Sequence, residues 1–144
     1  MKTSVTLSVL LVFFYIMVHG NLIDFAEMVK DVTGKDAAVH YASYGCYCGA
    51  AGRGKPVDAT DKCCHAHDCC YADLSAGGCR PQFDGYDYTV SNGNVTCDNE
   101  LDDCGMLACE CDRTAALCFK TNLDTYDRKQ RLKIARCRGR RVAC

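Results

Sequence analysis

From Asn21 onward, Leu22, Phe25, Ala26, Val29 and Val32 recur at helical spacing, with Asp24, Glu27, Lys30 and Asp31 between them. The pattern predicts an amphipathic N-terminal helix, capped by Asn21 and ended at Thr33-Gly34. Tyr44 to Pro56 holds Gly45, Gly49, Gly52 and Gly54, too many glycines for a helix or a strand. It reads as a loop, fixed at its ends by cysteines, that can turn several carbonyl oxygens inward. Asp58 and, three residues on, Asp61 open a second helix that runs through a cysteine-rich segment to about Leu74 and stops before Gly77-Gly78. Tyr86, Tyr88 and Val90 then alternate with polar residues up to Asn92-Gly93, and Val95 follows. This is the pattern of a two-stranded hairpin with a tight turn. A further long helix is expected from about Asp102 to Asn122, with acids at its start and no Gly or Pro after Gly105.

The segment ahead of this pattern is of another kind. Met1 to Gly20 carries Lys2, an apolar run from Val9 to Val18 and a small residue at the end, the layout of a secretory signal peptide. A mature chain of one domain, 21–144, is expected, secreted and extracellular. The apolar run is shorter than the roughly 20 residues that cross a bilayer. All fourteen cysteines follow the leader, and an even count in an exported chain argues for seven bridges and no free thiol. Cytosolic roles and a catalytic cysteine are thereby set aside. The 17 basic and 18 acidic residues nearly cancel, but Arg128, Lys129, Arg131, Lys133, Arg136, Arg138, Arg140 and Arg141 follow one another with no acid among them. The chain is an acidic body with a basic tail. That tail reads either as a solvated segment pinned by Cys137 and Cys144 or as a contact for anionic surfaces such as sulfated glycans or acidic lipid. No nucleic-acid motif accompanies it, and no nucleic-acid partner is expected. The apolar face of the first helix has two readings as well, core packing or settling on a lipid surface.

The chemistry concentrates in Cys63-Cys64-His65-Ala66-His67-Asp68-Cys69-Cys70 and Cys109-Glu110-Cys111-Asp112. Counting alone leaves on the order of 100,000 cysteine pairings. Spacing narrows this: Cys63 and Cys70 lie seven apart on one helix, Cys111 and Cys118 seven apart on the other, and seven residues return nearly to the same face. Antiparallel helices joined as Cys63–Cys118 and Cys70–Cys111 share one register, in which His67 faces position 114 and Asp112 lies within a turn of it. A histidine beside a buried aspartate suits general-base chemistry, because the carboxylate fixes the tautomer and stabilises the imidazolium. Asp68 and the carbonyl-rich glycine loop offer oxygen ligands for a hard cation, and calcium is the expected ion. Zinc is rejected, since oxidised cysteines cannot ligate it.

The run Tyr44-Gly45-Cys46-Tyr47-Cys48-Gly49, the segment from Asp61 through His67-Asp68 to Tyr71, and Cys109-Glu110-Cys111-Asp112 resemble the calcium loop, active-site helix and second-helix aspartate of secreted phospholipase A2. The resemblance spans the mature chain, and the extension ending in Cys144 resembles group II of that family. It implies a mainly α, disulfide-rich fold: two long antiparallel helices, an N-terminal amphipathic helix, a calcium-binding loop and a small two-stranded β-hairpin. It also implies the bridges Cys46–Cys137, Cys48–Cys64, Cys69–Cys144, Cys79–Cys104 and Cys97–Cys109 beside the two given by spacing. In the chemistry so implied, His67 takes a proton from a water attacking the sn-2 ester of a glycerophospholipid, with Asp112 orienting His67. The products are a fatty acid and a lysophospholipid. The calcium ion is held by the Asp68 carboxylate and the carbonyls of Tyr47, Gly49 and Ala51, and the Gly49 N–H helps stabilise the oxyanion. Tyr71, and one of Tyr86 or Tyr88, hydrogen-bond Asp112, while Leu22, Phe25 and Val29 line the acyl channel. The implied partner is a phospholipid surface, met peripherally by a monomer.

One departure stands out, Gly49-Ala50-Ala51-Gly52, with alanine where the family has a glycine. A left-handed backbone at Ala51 would carry strain of about 1–2 kcal/mol. The chain has no tryptophan, the residue that in this family often favours zwitterionic membranes. Asn94-Val95-Thr96 is a glycosylation acceptor beside the hairpin turn. Two readings of another class compete with the enzyme. One is a catalytically silent relative acting as a receptor ligand or toxin subunit, which intact His67, Asp68 and Asp112 argue against. The other is a glycan-binding module resting on the tail alone.

Overall fold

The computed structural model describes residues 4–10, 21–49, 52–98 and 103–144. Residues 4–10 are helical and exposed. Helix α1 spans Asn21–Thr33, followed by the single-turn α2 at Ala37–His40 and the long α3 at Ala59–Ala76. The hairpin strands β1 and β2 are Tyr88–Ser91 and Asn94–Cys97, and α4 covers Asp103–Thr121. Short 3-10 turns at Leu123–Thr125, Arg128–Gln130 and Ile134–Arg136 carry the chain to its C-terminus.

Helix α3 starts where Asp58 caps it, its carboxylate accepting from the Asp61 N–H at 2.9 Å. It runs two residues past the expected end, to Ala76, because the Gly77 N–H still finds the Asp73 and Leu74 carbonyls at 3.1 Å. Helices α3 and α4 pack against each other, and α1 lies across α4. Alanines at 108 and 116, both without exposed surface, let the helices approach closely, while Met28, Val29 and Phe119 fill the space between them. The bridges Cys63–Cys118 and Cys70–Cys111 join α3 to α4 with Cα atoms 5.8 Å apart in both cases, as the common register requires. The other five pairings form as the family resemblance implies, and no cysteine is free.

Two local expectations are corrected. Asn21 does not cap α1 with its side chain; fully buried as the first helical residue, it sets its side-chain amide 2.8 Å from the Tyr71 hydroxyl, whose single hydrogen goes to Asp112. The first strand begins at Tyr88 rather than Tyr86, because Tyr86 turns inward to α4 before the ladder starts. Asn92 and Gly93 both adopt positive φ, 52° and 76°, giving the tight turn between Ser91 and its partner Asn94. Val95 and Cys97 face the core and Asn94 and Thr96 face out. The hairpin is fastened to α4 by Cys97–Cys109 and by Arg113 Nε donating to the Val95 carbonyl at 2.8 Å.

Candidate active site

His67 and Asp112 come together from the facing sides of α3 and α4. Nε2 of His67 lies 2.5 Å from Asp112 Oδ1; the histidine side chain is 11% exposed and the aspartate is fully buried. A carboxylate only accepts, so Nε2 carries the hydrogen and Nδ1 keeps its lone pair. Nδ1 has no protein partner among the described residues. The imidazole is clamped by rings, stacked on Phe25 with centroids 4.5 Å apart and tilted against Tyr71 at 4.2 Å. Asp112 is held in turn by the Tyr71 hydroxyl at 2.7 Å and the Tyr86 hydroxyl at 2.6 Å. Of the two tyrosines left open by the sequence, Tyr86 reaches the aspartate, whereas Tyr88 donates to Asp31 at the surface. Burial, followed by the charge of Asp112, pushes both the Tyr71 and Tyr86 hydroxyls well above the usual tyrosine range.

The loop before α3 is held by a buried carboxylate. Asp61 is fully buried, and it accepts three main-chain N–H groups: Cys46 and Tyr47 at 2.8 Å and Val57 at 2.9 Å. Several amides on one anion make a strong, charge-assisted anchor. Gly45 adopts φ 58°, and a Cβ there would meet Asp61 Cγ at 2.3 Å, so both backbone and space demand glycine. Gly49 is constrained likewise, with φ 109° and a built Cβ 2.3 Å from the Ala42 carbonyl oxygen.

Asp68 projects from α3 toward this loop. At Gly52 an added Cβ would lie 2.3 Å from the Tyr47 ring and 3.2 Å from Asp68 Oδ2, so the loop backbone closes directly over the carboxylate. The Tyr47 and Gly49 carbonyls accept no hydrogen bond from any described residue. Burial raises Asp68 above the ordinary carboxylate range, and the Arg141 guanidinium, 3.3 Å from Oδ2, pulls it back. A cradle lined by glycine, a part-buried carboxylate that attracts a cationic group, and free carbonyl oxygens make an all-oxygen donor set suited to calcium. Ala51, the third expected carbonyl ligand, lies outside the described residues. Zinc finds no site at His65, whose neighbours Cys69 and Cys144 are bridged to each other.

The three expected channel residues part company. Leu22 is exposed and lines an apolar groove of about 550 Å³ with Ile23, Ala26, Ala37 and Phe83. Phe25 stacks on His67, and Val29 is fully buried in the core beneath rather than on the groove. A larger groove, about 640 Å³, is rimmed by Asp24, Glu27, Asp31 and Asp87, an acidic lining unsuited to fatty-acyl chains. No helix among the described residues is long and apolar enough to cross a membrane.

This pairing of a buried His–Asp dyad with an oxygen-lined loop on adjoining residues defines a hydrolase of the phospholipase type. Residues 22–131 match the family model for phospholipase A2. Along its full length the chain is 48% identical to "Phospholipase A2, membrane associated" of Bos taurus and 46% identical to the protein of that name in Homo sapiens, covering all of each. It is also 52% identical over 112 residues to "Basic phospholipase A2 B" of Gloydius halys, covering 78% of this chain and 79% of that one. The chain belongs to the phospholipase A2 family.

Proposed function

We propose that the chain is secreted from Asn21 onward and hydrolyses the sn-2 ester of glycerophospholipids at a lipid–water interface, releasing a fatty acid and a lysophospholipid. The observation that carries this reading is the Asp112-oriented His67, whose Nδ1 has no protein partner among the described residues. His67 Nδ1 takes the proton of the attacking water, and general-base action of this kind is worth about 100- to 10,000-fold in rate. Asp112 holds the ring and offsets the charge of the imidazolium, and Tyr71 and Tyr86 keep Asp112 fixed while that charge appears. Asp68, with the carbonyls of Tyr47, Gly49 and Ala51, would hold a calcium ion, which when bound supplies Lewis-acid polarisation of the ester and binds the phosphate. The Gly49 N–H would donate to the developing oxyanion. Exposed Leu22 and Phe83 give the apolar groove a face for the lipid surface, met peripherally by a monomer. The test is release of labelled fatty acid from vesicles whose phospholipid carries the label only at sn-2, with calcium and with a chelator. Release that ignores the chelator, or label appearing only from sn-1, ends the reading.

A second contact rests on separate observations. Arg136, Arg138 and Arg140 are exposed on a tail pinned by Cys46–Cys137 and Cys69–Cys144. This presentation supports a salt-sensitive contact with sulfated glycans. Unchanged heparin retention after neutralising these arginines would remove it. Asn94 and Thr96 both face solvent, which supports use of the glycosylation acceptor, readable as a mass shift lost in Asn94→Gln.

A further inference from the structure

The last five residues are a strap laid over the loop and tied down at nearly every step. Arg140 accepts from the Gly54 N–H at 3.1 Å, and the Val142 N–H donates to the Tyr47 hydroxyl at 2.9 Å. The Val142 carbonyl meets His65 Nε2 at 3.0 Å, and Cys144 is bridged to Cys69 on α3. The backbone on both sides of Arg141 is therefore fixed. Its guanidinium lies 5.5 Å from the centre of the Tyr47 ring and donates through Nη2 to Asp68 Oδ2 at 3.3 Å. Among eight clustered bases, this one is aimed at the carboxylate that the proposed calcium site needs.

We infer that Arg141 is a built-in competitor for the cation: it occupies the Asp68 carboxylate in the cation-free protein, must be displaced when a divalent ion binds, and so sets the affinity of the site from the C-terminus. The inference rests on the reading of Asp68 as a cation ligand. The geometry makes displacement easy. The contact is made through a single guanidinium nitrogen rather than the two-pronged fork, and the side chains are 43% and 24% exposed. Ion pairs of that kind are weak, so the competition lowers affinity by a small factor rather than closing the site. Because the strap backbone stays pinned, the freed guanidinium remains at the rim of the site.

Calorimetric titration of calcium into the full disulfide-bonded chain, without lipid, tests this apart from catalysis. Arg141→Gln should bind calcium about two- to fivefold more tightly than the parent protein at low salt. The gain should shrink in 0.5 M salt, where screening already weakens the ion pair over about 4 Å. Arg141→Lys, which keeps a charge in reach of Asp68, should stay within about twofold of the parent. Arg140→Gln removes the same charge one residue away, from a side chain that does not touch Asp68, and should change affinity by less than about 1.5-fold. Equal or weaker binding in Arg141→Gln overturns the inference, as does an equal gain in Arg140→Gln, which would reduce the effect to the general field of the tail. Absence of calcium uptake by every form, the parent included, would instead overturn the cation reading of Asp68 and this inference with it.

Discussion

His67 and Asp68 are consecutive residues on one helix, yet the two halves of the site that they open are held by different means. On the base side every contact runs between side chains of packed helices: Phe25 on α1, Tyr71 on α3 and Asp112 on α4, closed by Tyr86 from the approach to the hairpin. On the cation side the groups that matter are main-chain atoms of an irregular loop. Their positions depend on Asp61, on glycines without room for a Cβ, and on a strap some 90 residues further along the chain. Rigid helices suit a proton transfer, which tolerates little misplacement. A loop suits an ion that wants six to eight oxygens at adjustable angles. Damage to the first half should therefore appear in rate, and damage to the second in ion binding and stability.

The largest separation should come from His67→Gln. Turnover should fall by about 100- to 10,000-fold, while calcium uptake and the unfolding midpoint stay near those of the parent, since glutamine can still donate to Asp112. Asp68→Lys should lose ion binding and turnover together. Near-normal turnover in the His67 variant, measured on sn-2-labelled vesicles, would end the division of labour between the halves.

Asp61→Asn should strike the loop alone. The amide points a donor at a site already crowded by the Cys46, Tyr47 and Val57 N–H groups, leaving at least one buried donor unpaired. A loss of about 2–4 kcal/mol is expected in denaturant unfolding with the bridges intact, together with weakened calcium binding. Full stability in this variant would mean that the disulfides Cys46–Cys137 and Cys48–Cys64 position the loop without the carboxylate.

Tyr86→Phe and Tyr88→Phe sharpen the contrast within the base side. Tyr86 donates to a fully buried carboxylate, and losing a hydrogen bond to such a group costs about 1.5–3 kcal/mol. Tyr88 donates to Asp31 in an exposed contact that water can replace, so its loss should cost about 0.5 kcal/mol or less. Equal effects on unfolding and on turnover would show that Asp112 is held without Tyr86.

What could be read in advance follows the same division. The helices, the turn at Asn92-Gly93, the register of α3 on α4 and the meeting of His67 with Asp112 all derive from periodicities of 3.6 and 2 and from cysteines spaced by seven. Asp61 was not legible as a loop anchor, because three residues after a capping Asp58 it carries the same signal as an ordinary acid in a first helical turn. Nor could Tyr86 be told from Tyr88: alternation assigns both to one face of a strand that in fact starts only at the second of them. Arg141 was one base among eight, and only the pinning of Arg140 and Val142 singles it out. Contacts between distant segments that run through main-chain atoms leave little trace in residue type.

The smallest expected effect concerns alkaline pH. Tyr71 and Tyr86, each less than a tenth exposed, hold their protons well above the usual tyrosine value because burial and the Asp112 charge both disfavour the phenolate. The unfolded chain releases those protons near pH 10. Below that value the two states bind the same number of tyrosine protons, and this contribution to stability is fully present. Above it the unfolded state alone ionises, so stability falls as pH rises from about 10 toward the folded values. Half a unit above pH 10 each of the two tyrosines should account for a loss of about 0.8 kcal/mol. Other groups titrate in the same range, so the informative quantity is a difference in slope. Between pH 9 and pH 10.5 the stability of Tyr86→Phe should decline less steeply than that of the parent. Denaturant unfolding at closely spaced pH values, with absorbance at 295 nm counting the phenolates in the folded state, measures both quantities. Identical slopes for Tyr86→Phe and the parent would mean that the Tyr86 hydroxyl ionises as readily in the fold as out of it, and that the base side is wetter than its packing indicates.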